Sequence, residues 1–73
     1  CIIMEINKKV LELRHLKEKI LNIECNINTL KNIKEKFAFN IIKQKKAQLK
    51  QLKIEFQQVQ QELHELLDKE MKL

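Results

Sequence analysis

The 73 residues carry 44% hydrophobic and 34% charged side chains, with fifteen Lys or Arg against ten Asp or Glu, and no Gly, Pro, Trp or Tyr. That composition argues against a turn-rich compact fold, because the residues that reverse a chain cheaply are missing, and so short a chain buries little core alone. No apolar run nears the ~20 residues of a membrane span, no cleavable leader or transit signal is present, and the uncapped ends at Cys1 and Leu73 make the sequence read as an interior piece of a longer protein.

From the first residue onward the apolar side chains recur with a seven-residue period. With Ile6 at position a, the a series is Ile6, Leu13, Ile20, Ile27, Lys34 and Ile41, and the d series is Ile2, Lys9, Leu16, Ile23, Leu30 and Phe37. Only Lys9 and Lys34 break the stripe, and the pattern outlasts that of an ordinary amphipathic surface helix. Asn26, Asn28, Thr29 and Asn32 make residues 22–32 the weakest helix-forming stretch, yet Ile23, Ile27 and Leu30 stay in frame through it.

After Ile41 the period continues only if the frame slips by one residue. The a series becomes Ile42, Leu49, Phe56, Leu63 and Glu70, and the d series Lys45, Leu52, Val59, Leu66 and Leu73. Around the slip, Phe37-Ala38-Phe39-Asn40-Ile41-Ile42 is apolar on more than one face, as expected where a partner-facing stripe rotates about the helix. A hairpin turning here is the alternative, but of these residues only Asn40 tolerates a positive φ readily. The expected fold is therefore all-α: a single continuous helix about 110 Å long, forming a coiled coil with a one-residue skip near residue 41 between heptad blocks 1–41 and 42–73.

The expected interface is the seam, made of Ile6, Leu13, Leu16, Ile20, Ile23, Ile27, Leu30, Phe37, Ile41, Ile42, Leu49, Leu52, Phe56, Val59, Leu63 and Leu66. Lys9, Lys34, Lys45 and Glu70 within it would each meet their own copy in a parallel self-pair, which favours a hetero-partner helix or an antiparallel arrangement over a parallel homodimer. Outside the seam lie Ile3, Met4, Val10, Leu11, Leu21, Ile54, Leu67 and Met71, either isolated surface residues or contacts with a larger assembly.

Charge is polarised along the chain. Residues 31–53 hold eight lysines against the single acid Glu35, while residues 54–73 hold five acids against two lysines. Lys43, Lys45, Lys46, Lys50 and Lys53 are candidates for binding a polyanion such as a microtubule surface or nucleic acid. Arg14 is the only arginine, and the dense Arg and Asn pattern of a basic DNA-reading helix is missing, so specific nucleic-acid recognition is not expected. The lysines are not confined to one polar face opposite a wide apolar one, so membrane-surface binding is not expected either.

No constellation supports catalysis, a metal or a cofactor. His15 and His64 lie about 70 Å apart on a straight helix, and Cys1 and Cys25 fall at outward positions without metal or redox spacing. The carboxylates pair in i,i+4 order with lysines, as in Glu5 with Lys9, Glu65 with Lys69 and Asp68 with Lys72, which is helix stitching and not acid–base chemistry.

The two heptad blocks, the skip, and Lys/Glu/Gln-rich flanks such as Gln57-Gln58-Val59-Gln60-Gln61-Glu62-Leu63 resemble rod segments of long cytoskeletal coiled-coil proteins, those of motile cilia and centrosomes in particular. The resemblance implies a non-enzymatic structural or tethering segment that pairs with partner helices in a cytoplasmic, cytoskeletal assembly, an axoneme or other microtubule-associated filament. It carries over no site residues. The alternative function is the basic helix on a polyanionic surface.

Overall fold

The computed structural model describes residues 2–72 and contains two helices, α1 (Ile2–Lys31) and α2 (Lys36–Met71), packed against each other as an antiparallel hairpin. The all-helical expectation holds, whereas the single continuous helix does not. A straight helix of this length would span about 110 Å; the Cα trace measures 57 × 14 × 13 Å. Its long dimension is that of α2 alone, about 54 Å at 1.5 Å per residue. A flat pair of helices would be only about 5 Å deep in its third direction, the diameter of one Cα cylinder, so a depth of 13 Å requires the two helices to tilt or wind across each other.

The break, at residues 32–35, begins where the stretch weakest in helix formers ends, and that stretch stays helical up to Lys31. Near the end of α1, Thr29 turns its hydroxyl back to donate to the Cys25 carbonyl at 3.1 Å, a local bond that competes with helix continuation. The last turn then tightens: the Asn32 amide bonds to Thr29 O at 3.3 Å and the Ile33 amide to Leu30 O at 3.0 Å, both three residues back. Glu35 is extended, with φ −109° and ψ 148°, and α2 starts from it without a side-chain cap, the Ala38 amide bonding to Glu35 O at 3.1 Å. Among the described residues none has a positive φ. The reversal thus avoids the left-handed conformation whose scarcity argued against a hairpin.

Relocating the break also relocates the frame change. Extended backwards from Ile42, the second frame puts d at Ala38, near the start of α2. Ala38 is fully buried, and Ile42 and Ile27 are the other buried apolar residues. The slip expected at residue 41 is therefore no fault within a helix; the phase changes across residues 32–35, where no helix has to carry it. Block one ends at Lys31 instead of Ile41, Lys34 stands exposed in the turn instead of at a seam position, and Phe37 is 58% exposed, at c of α2 instead of d of α1.

Candidate helix-pairing interface and basic face

Burial along each helix follows the heptads. In α1, Ile2, Ile6, Lys9, Leu13, Leu16, Ile20, Ile23, Ile27 and Leu30 are the a and d positions, and with Glu24 they are the only residues of the helix not exposed. In α2 the corresponding set is Ala38, Ile42, Lys45, Leu49, Leu52, Phe56, Val59, Leu63 and Leu66, joined by the flanking Ile41 and Glu55. The seam residues of the two arms meet across the hairpin: Leu16 and Val59 line one cleft, Ile23 and Leu52 a second, Ile27 and Leu49 a third. Cys1 and the final d residue, Leu73, lie outside the described residues.

Most of the seam is only half covered, because a second helix shields one side of a stripe and leaves its flanks to water. Antiparallel pairing also answers the charge at Lys9. Its ammonium lies at the seam edge and donates to the Glu62 carboxylate across the hairpin, with Glu12 on its own helix 3.7 Å away. The hydrogen bond to Glu62, reinforced by Glu12, holds the Lys9 ammonium above its ordinary pKa of 10.5. Lys45, the other d-position lysine, is half-buried.

Fold-back sorts the surface charges by side. In an antiparallel pair the e positions of one helix face those of the other, and Glu24, Asn28, Lys31 and Lys46 accordingly line a common cleft. The e and b positions of both helices form one broad side, carrying Arg14, Lys17, Lys31, Lys36, Lys43, Lys46, Lys50 and Lys53 against the single acid Glu24. The opposite side, from g and c positions, has Lys8, Lys19, Lys69 and Lys72 against Glu5, Glu12, Glu55, Glu62 and Glu65. Of the candidate polyanion-binding lysines, Lys43, Lys46, Lys50 and Lys53 are exposed on the first side, and Lys45 stands apart in the seam. The second heptad block alone carries most of this asymmetry, with Lys43, Lys46, Lys50 and Lys53 at b and e and Glu55, Glu62 and Glu65 at g and c, and the fold-back adds Arg14, Lys17 and Lys31 to the same side. Glu24 and Glu55, half-buried beside the seam, and the buried Ala38 were not singled out as contact residues; Ala38 becomes visible once the second frame is run back through the start of α2.

Among the described residues no group of three or more His, Cys, Asp or Glu is placed to hold a metal ion, no buried polar side-chain atom lacks a hydrogen-bond partner, and no helix is long and apolar enough to cross a membrane. Cys25 is a free, exposed thiol. The clefts between the helices are open surface grooves with mixed polar and apolar walls and enclose no cavity of the kind that buries a small molecule. No protein-family model, curated protein or solved structure matches the chain.

Proposed function

We propose that this chain is a non-enzymatic structural element, a helical hairpin that joins an assembly by packing further helices against its incompletely covered seam. The observation that carries the reading is surface area. The chain exposes 6174 Å², whereas a compact monomer of 8.8 kDa exposes about 4800 Å². The excess, about 1400 Å², exceeds the roughly 800 Å² that one partner contributes to a standard protein–protein interface, and the exposed surface includes large apolar side chains: Ile3, Met4, Val10, Leu11, Leu21, Phe39 and Met71 are each 48–84% exposed. Those that flank the seam at e, Ile3, Val10 and Phe39, are of the kind that a third or fourth helix covers. A cytoskeletal rod or tether, the setting that the heptad-rich sequence resembles, is one assembly in which such a hairpin would serve.

A direct test is to follow helicity and sedimentation together over a wide concentration range, alone and with candidate partner helices. Helicity and thermal midpoint should rise as the hairpin associates. A species that remains monomeric and equally helical under every condition would remove the basis for the reading. A second reading, binding to a polyanionic surface, is favoured by the four exposed lysines that share one side of α2, and its readout is salt-sensitive cosedimentation with microtubules or RNA.

A further inference from the structure

Resting on the helix-pairing reading, we infer that the hairpin receives its partner on the e/b side, and that the partner is an amphipathic helix that is acidic along its middle and apolar towards its ends. The chemistry of the side sets both requirements. On α2, Lys36, Lys43, Lys46, Lys50 and Lys53 follow one another at alternating intervals of seven, three, four and three residues, which keeps all five on one exposed strip about 26 Å long. Arg14, Lys17 and Lys31 of α1 add to the same field, and Glu24 alone opposes it. Solvated lysines at this density repel one another, and an acidic neighbour relieves the repulsion.

The apolar residues that continue the strip favour a helix over other polyanions. Phe39, 62% exposed, interrupts the lysines close to the turn, and at the open end Leu67 and Met71 of α2 stand on the same side as Ile3 and Val10 of α1. A phosphate backbone makes no use of those ends, whereas an amphipathic helix lying along this side of the hairpin buries them. From Phe39 to Leu67 this side of α2 runs about 42 Å, the length of a helix of about 28 residues. The opposite side, with nearly balanced charge and glutamines where the lysines would be, gives an acidic helix no such attraction.

The probe is a synthetic 28-residue helix with Leu at both ends of one face and Glu at heptad spacing between them, compared with its Glu→Lys counterpart and with an RNA duplex. Titrated into the isotopically labelled hairpin, the acidic helix should shift amide signals of residues 17–31 and 36–53 at e and b positions, and the Glu→Lys helix should not bind. K43E/K46E/K50E/K53E, all exposed positions whose replacement leaves the seam intact, should weaken binding at least tenfold while the circular dichroism stays unchanged. F39S/L67S should weaken peptide binding and leave any duplex binding as it was, which separates a docked helix from simple polyanion attraction. Peptide binding untouched by the lysine reversals, shifts confined to the g/c side, or RNA bound more tightly than the peptide would overturn the inference. If the reversed variant still gains helicity on associating, helix pairing stands and only the choice of face falls; if the parent hairpin associates with no helix at all, both fall.

Discussion

Lys9 shows how a single residue's role waits on topology. From the sequence it is a lysine at a core position, an argument against parallel self-pairing and nothing more. Its carboxylate partner lies 53 residues away, and no local spacing rule connects the two. Because the folded chain holds the ammonium above its ordinary 10.5, the bound proton is favoured in the folded state. The pair's contribution is therefore complete below pH 10.5 and is lost as pH rises through the elevated value. The expected outcome is a difference in thermal midpoint between the parent and Lys9→Met that is constant from neutral pH to that boundary and shrinks above it. Both partners are substantially solvated, so the difference should be small and should diminish with salt. A difference that grows with alkali would contradict the assignment.

At the scale of the element, the less exposed residues of each arm coincide with its a and d positions, because seven-residue spacing reports the face of a helix whatever that face meets. They are silent on whether the neighbour is another molecule or the same chain returning. The weak helix formers Asn26, Asn28 and Thr29 lie within α1 and only Asn32 falls in the break, a seam that stays in frame up to Leu30 hides it, and the absence of glycine makes a turn look expensive. The chain turns by a tightened last helical turn and an extended Glu35, conformations open to any residue. With only four residues between the helices, the second arm is held at high effective concentration beside the first. Restoring helix propensity should undo this. Replacing Asn28, Thr29 and Asn32 with Ala adds about 0.5 kcal/mol of helix preference per site, removes the Thr29 back-bond, and should shift part of the population to an elongated, arm-exchanged dimer. Size-exclusion chromatography with light scattering reads this directly; a variant as compact and monomeric as the parent would show that seam packing, not turn propensity, fixes the hairpin.

On the scale of the whole molecule, three buried apolar residues, Ile27, Ala38 and Ile42, cluster towards the turn, where Ala38 lets the helices approach closely. Towards the open end the seam is half-solvated and the flanks stay apolar. The molecule is thus most closely packed where the chain reverses and most open to water at the other end. Net charge is legible from composition and the lysine strip from the b and e positions of the second frame; which row of α1 joins that strip is not, since that depends on the fold-back. Everything proposed for the basic side depends on the antiparallel return of α2 along α1. Double electron–electron resonance tests that return most directly, using spin labels on Asn7→Cys and His64→Cys with Cys1 and Cys25 replaced by Ser, diluted with unlabelled protein to suppress distances between chains. The hairpin places the labels about 20 Å apart, two helix radii and an interaxial spacing with the label arms included; a distance near 85 Å, that of a continuous helix, would contradict the account.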